Sequence, residues 1–386
     1  MAAALITLLA GRARAEPFIP SDESQVLEHL PTPGSAAKRE LRQLRRSLRD
    51  NPTDLTLAVD LARRYIALGR TEFDPRYSGY AQAALRPWWN QPRPPVEVLV
   101  LRATLKQNRH DFTGALADLD AVLASDPRNA QAWLTRAVVL QVQGQYDVAQ
   151  QSCGRLVLLA APLVAATCLA DTLSVNGKAN KAYDLLDRVL RETPAQPDDV
   201  RLWSLTVLAE TAARLGDTAA ADRHFRAALD LGQRDAYLLG AYADFLLDQG
   251  RPAEAKDLLA GETRADPLLL RLALAEQSGA GADFAGHVQA LSDRFAASRQ
   301  RGDKAHLREE ARFMLHLRND PRQALRLALE NWQTQRETWD ARIVLEAALA
   351  ANDPAAASEI VAWLHQTKLE DPAIASLLRT IRGEQG

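Results

Sequence analysis

The chain predicts an all-α fold, helix pairs stacked on one another with no β-sheet. Three observations carry this. Small, apolar and turn residues recur in register along most of the chain, with a spacing typical of repeat arrays. Between the turns, apolar residues keep helical spacing. The 386 residues are 47% hydrophobic and 25% charged, enough for two or three ordinary domains or one long array, and not a disordered composition. Lys and Arg number 47 against 49 Asp and Glu, a net charge of −2. A broadly basic nucleic-acid binder needs a positive excess, so no nucleic-acid partner is expected. Two cysteines exclude a disulfide framework and a four-Cys zinc site.

Residues 1–15 read as a signal peptide. Ala2 to Ala10 (AAALITLLA) is apolar, and Ala13-Arg14-Ala15 has the A-x-A form of a cleavage site. The run is far shorter than the roughly 20 residues that span a bilayer. Met1 leads straight into Ala2, so a positive n-region is missing, and a fraying N-terminal helix is the other reading. Cleavage after Ala15 leads to a periplasmic or secreted product with no stable membrane span. Residues 16–37 hold Pro17, Pro20, Pro31, Pro33 and Gly34 and read as an extended leader. Residues 38–54 read as a capping helix. Leu41, Leu44 and Leu48 share one face, and Arg42, Arg45, Arg46 and Arg49 the other. That basic face is either a solvated outer surface or a contact for an anionic one.

Residues 55–267 carry the repeat. A weaker first unit has Ala62, Tyr65, Gly69 and Ala81. The next has Phe112, Ala115, Leu119 and Pro127; then come Trp133, Ala137, Gly144, Tyr146 and Ala149. Ala170, Gly177, Ala182 and Pro194 follow, then Ala209, Gly216, Ala221 and Phe225, then Ala243, Gly250, Ala255 and Pro267. Starts near 96, 130, 163, 202 and 236 give steps of 34, 33, 39 and 34, the long one absorbing the loop around Ala195-Gln196-Pro197. Small residues let the two helices of a unit approach closely. The glycines end the first helix, where a left-handed residue costs least. Pro127, Pro194 and Pro267 stop the second. Asp-Pro pairs at Asp126, Asp266, Asp320, Asp353 and Asp371 read as cap plus first-turn proline. From 268 to 303 the pattern blurs into a degenerate repeat, which either continues the superhelix or breaks it into two arms near Gly279. Residues 304–386 carry two further repeat-like units and a cap.

This pattern resembles the tetratricopeptide repeat, best at Ala132 to Leu159 and over about residues 55 to 370. The resemblance implies a right-handed α-solenoid of about seven to nine helix-turn-helix units with a concave groove. It also implies which positions of each first helix line that groove. Asp171, Glu210 and Asp244 then form an acidic ladder, Gln131, Trp203, Tyr237 and Trp339 stand near its edge, and Arg214 and Arg342 face inward. Three stacked carboxylates repel unless solvated or paired with a cation. They either hold a basic, extended peptide or line an ordinary hydrated groove. After Gly69, the tract with Asp74, Arg76, Tyr77 and Tyr80 is longer than the usual turn. It resembles one in exported bacterial tetratricopeptide repeat proteins of unassigned role. It reads as a docking surface or as aromatic packing that seals the first unit.

No phosphate-loop, H-E-x-x-H, C-x-x-C or G-x-S-x-G motif is present. Gly279-Ala280-Gly281 has the wrong spacing for a dinucleotide loop, and no two histidines stand four apart. No catalytic residue, cofactor or metal is therefore expected. Cys153 and Cys168 fall on opposite arms of one helical hairpin, equally far from its turn. They read as a disulfide in an oxidising compartment or as two buried thiols. The expected function is a non-catalytic periplasmic scaffold holding a protein or peptide in the groove. The alternatives are an accessory or assembly factor for an envelope transport or export system and, least, a cryptic enzyme. A clamp for acidic tails needs a basic groove, which this ladder is not.

Overall fold

The computed structural model describes residues 36–71, 74, 76–277, 279, 283–304 and 306–383, so the leader up to residue 35 lies outside it. Helix α1 (Ala36–Asp50) starts slightly before the expected cap and lays Leu41, Leu44 and Leu48 on the first unit. Nine helix pairs follow among the described residues. They are α2 (Leu55–Thr71) with α3 (Arg76–Ala84) and the short α4 (Arg86–Trp89); α5 (Val96–Gln107) with α6 (Phe112–Ser125); and α7 (Ala130–Val142) with α8 (Tyr146–Leu156). Next are α9 (Pro162–Ser174) with α10 (Ala179–Glu192), α11 (Asp198–Arg214) with α12 (Thr218–Leu229), and α13 (Ala236–Asp248) with α14 (Pro252–Leu258). The last are α15 (Asp266–Glu276) with α16 (Phe284–Gln300), α17 (Leu307–His316) with α18 (Pro321–Trp332), and α19 (Thr338–Ala350) with α20 (Ser358–Thr367). Helix α21 (Pro372–Ile381) closes the array. No strand occurs among the described residues.

The local signals act largely as their chemistry dictates. Ala137, Ala170, Ala209 and Ala243 are buried where paired helices meet. Asp320 and Asp371 cap α18 and α21, accepting from the Gln323 and Ile374 N–H groups. Three Asp-Pro readings fail. Asn129 caps α7, leaving Asp126 in the turn before it; Asp266 is already inside α15; and Asp353 makes no side-chain cap bond. Pro267 does not stop α14, which ends at Leu258, but opens α15. The degenerate unit is no break in the core. Leu239, Leu268, Leu270, Leu291, Phe295 and Phe313 form one cluster running through it. Helix α15 is buried on most sides, so its sequence lacks the polar face that makes a repeat visible.

The solenoid is not an open crescent. Its last units fold back against the turns of the third and fourth pairs. The Arg336 N–H donates to the Val142 carbonyl at 2.7 Å, and the Tyr146 hydroxyl donates to the Arg336 carbonyl at 3.1 Å. The Ala179 N–H donates to Glu370 Oε2 at 2.9 Å. Tyr146 and Val175 share a core with Trp332, Ile343 and Trp363. Gly177, with φ +65°, faces this seam. A Cβ there would stand 2.8 Å from Lys368 Cβ and 3.1 Å from its carbonyl oxygen. Gly232 has φ +71° but nothing within 4 Å. Both Gly→Ala variants are expected to lose about 1–2 kcal/mol from the left-handed backbone. Gly177→Ala loses more, because the seam must also move. Equal melting temperatures for the two variants would show that the seam is loose.

Candidate functional site

The first helices of seven consecutive units, α7 through α19 in alternation, wall a central cavity of about 310 Å³. It lies where the groove was expected, but the fold-back adds a further wall to it, Arg308, Glu309, Glu337 and Trp339 from the C-terminal units. Six of the nine expected groove residues line it: Asp171, Glu210, Arg214, Tyr237, Asp244 and Trp339. The other three do not. Helix α11 begins at Asp198, ahead of the expected 202, and Trp203 packs half-buried against the cores of the third and fourth units. Gln131 donates to the Thr135 hydroxyl at 3.1 Å. Arg342 stands behind the wall, bidentate to Asp248 at 2.6 and 2.8 Å and stacked on Trp339 at 4.2 Å.

The expected ladder of three like carboxylates does not exist, because Asp244 differs from the other two. Asp244 is only 3% exposed and bound by Arg271 at 2.6 Å and Arg312 at 2.9 Å. Burial alone raises its pKa, but the two guanidinium groups outweigh that and hold the carboxyl below its ordinary range. Asp171 and Glu210 have no cation within ion-pair distance among the described residues. Burial pushes Asp171 up, opposed by Arg214 at longer range and by a Gln141 hydrogen bond. Burial pushes Glu210 up to about 7, with Arg214 opposing and Asp171 adding to the rise. The Tyr237 hydroxyl donates to both Glu210 oxygens at 3.0 and 3.1 Å. Its side chain lies on the cavity lining and is 62% accessible. Arg214 donates to the Ser174 hydroxyl at 3.1 Å.

On the opposite wall, Arg308 meets Glu337 at 2.8 Å and Glu309 and Asp340 at 3.4 Å. The lining as a whole carries five carboxylates and three guanidinium groups. Arg271, Arg308, Glu309 and Glu337 were not expected here. A lone arginine in the apolar run LLLRLALA was the one sequence signal for Arg271. Among the described residues, no group of three or more His, Cys, Asp or Glu is able to hold a metal ion, and no helix is long and apolar enough to cross a membrane.

The other singled-out residues lie off the cavity lining. Arg76 pairs with Asp74 at 2.6 Å, while Tyr77 and Tyr80 pack on Tyr65 with ring centroids 6.0 and 5.5 Å away. Tyr80 keeps 46% of its surface exposed. Cys153 of α8 and Cys168 of α9 are joined by a disulfide, their Cα atoms 5.5 Å apart.

No protein-family model and no curated protein matches the chain. Solved structures do. The chain is similar to one in the APC/C hetero-tetramer Cut9–Hcn1, with a TM-score of 0.51 and 13% identity over 90% of this chain and 67% of that one. A human IFIT1 dimer with m7Gppp-AAAA gives 0.48, at 13% identity over 91% and 87%. A tetratricopeptide repeat protein from Parabacteroides merdae gives 0.40, at 13% identity over 81% and 99%. The fold is the tetratricopeptide repeat solenoid. At such identities the likeness speaks for the fold alone, so the use of this tetratricopeptide array must be read from its own cavity.

Proposed function

We propose that the protein is a non-catalytic periplasmic scaffold that holds a segment of a partner protein at the centre of its array. One observation carries this: inner helices of seven successive units converge on a cavity whose lining has more carboxylates than guanidinium groups. A solenoid exposes such a surface to capture other chains. The size of the cavity narrows the sequence-based expectation. About 310 Å³ is at the small end of ligand sites, room for a side chain or a chain terminus but not for an extended peptide along the whole array. The apolar run at residues 2–10 with its A-x-A site supports export. The Cys153–Cys168 bridge favours the same location, since such bonds persist in oxidising compartments. The test is cross-linking and pull-down from envelope extract with wild type and Asp171→Asn/Glu210→Gln. Loss of the specifically captured partner is expected with the double variant. Capture of the same partner by both proteins would remove the cavity from the binding surface.

A further inference from the structure

We infer that the central cavity receives a single primary ammonium group, from a lysine side chain or a free chain N-terminus, between Asp171 and Glu210. This rests on the scaffold reading and names the chemistry of the inserted group.

Charge balance leads there. Asp244 has two guanidinium partners, and Glu309, Glu337 and Asp340 gather around Arg308. Asp171 and Glu210 are left with Arg214 alone, which acts on both from beyond ion-pair distance. The pair therefore lacks a cation in direct contact when both ionise, whereas each acid around Arg308 touches it. Half-buried charge of that kind is eased by a proton or a matching cation. The rest of the lining fits a monovalent organic cation. Tyr237 presents an accessible ring beside Glu210, a surface that covers a methylene stem and attracts a cation to its face. Trp339 is not free for this, since Arg312 and Arg342 already lie 4.1 and 4.2 Å from its ring. The buried Thr338 hydroxyl on the same lining has no hydrogen-bond partner and offers an acceptor besides the two carboxylates. An ammonium has three donors to place. A dedicated metal site is not formed here, because the carboxylates that gather are two.

The charge balance also makes binding pH-dependent. The titratable and charged groups facing Glu210 are Tyr146 of α8, Asp171 of α9, Arg214 of α11, Tyr237 and Asp244 of α13, Arg271 of α15, Arg308 and Glu309 of α17, and Glu337 before α19. Of these, burial holds Glu210 at about 7. The entering cation replaces its proton, so affinity for a lysine falls about tenfold from pH 8 to pH 6, and for a chain N-terminus less, because that amine itself gains its proton over the same range.

The experiment is calorimetry on the full chain with three peptides: one with a lysine and both ends blocked, one with only a free N-terminus, and a neutral one with both ends blocked. At least one charged peptide is expected to bind ten times tighter than the neutral one, and which one does so identifies the source. Glu210→Gln and Asp171→Asn each bring it down to the neutral level. Tyr237→Phe keeps charged-peptide binding, because both carboxylates remain. Both amide variants remove an unpaired charge at constant shape, and circular dichroism checks their fold; if one fails to fold, the other decides. Equal binding of charged and neutral peptides, or undiminished binding by the amide variants, overturns the inference. If peptides are not discriminated but the double variant still loses its envelope partner, the scaffold reading survives and the ammonium site does not. If the partner also stays, both fall.

Discussion

Asp244→Ala is expected to lower stability by about 3–5 kcal/mol at pH 7, the usual cost of breaking a buried ion pair from one side. Asp244 ties three successive inner helices together. Arg271 and Arg312 reach it from α15 and α17, and both are themselves buried, 8% and 5% exposed. Without the carboxylate, the two guanidinium groups face each other in the interior. Arg271 keeps bonds to the Gly240 and Pro267 carbonyls, and Arg312 keeps its stacking on Trp339, so part of each is still satisfied. Urea denaturation reads the loss. The pH dependence gives its sign. The folded Asp244 carboxyl lies below its ordinary value, so its contribution is full above the unfolded pKa of about 4 and fades as pH falls through the folded value. The gap between wild type and variant should therefore narrow at pH 3. A loss under about 1 kcal/mol at pH 7 would mean the triad is dispensable. Replacing all three members by apolar residues of similar volume should restore most of the loss.

Removing the disulfide is expected to cost about 3 kcal/mol, from the loop-closure entropy of a segment of this length. Cys153 and Cys168 are 15 residues apart and join the third unit to the fourth. Both are buried, among Ala137, Leu156 and Ala165. Cys153→Ser/Cys168→Ser should unfold at lower urea than the oxidised wild type. Reduced wild type should fall between them, because thiols suit that apolar pocket better than hydroxyls. Since α9 carries Asp171, loosening this hairpin should also weaken whatever the cavity holds. A thiol titration showing two free cysteines in the native protein would sink this expectation.

The helix pairs were legible because the rules that make them are local. Ala137 of α7 and Ala149 of α8 sit on the two arms of one hairpin, and their small size matters to that hairpin. Gly144 needs a left-handed backbone, φ +72°, because one helix must end and the next begin there. Six groove residues were legible because a repeated helix keeps presenting the same face. Trp203 shares the face of Glu210 but stands two turns nearer the start of α11, where that face packs on the third and fourth units instead of the cavity.

From its sequence alone, this protein is an all-α stack of helix pairs about 34 residues long, with an acid-bearing inner face and two cysteines able to meet. Only the tertiary structure decided that the stack closes on itself, that Asp244 is neutralised while Asp171 and Glu210 are not, and that the groove becomes a cavity. The physical reason is accumulated geometry. Each unit rotates slightly on the last, and small rotations summed over the array bring Ala179 to Glu370, 191 residues away, and Asp244 to Arg312, 68 residues away. No spacing within one repeat encodes those meetings, so charges that look equivalent along the chain end with different partners.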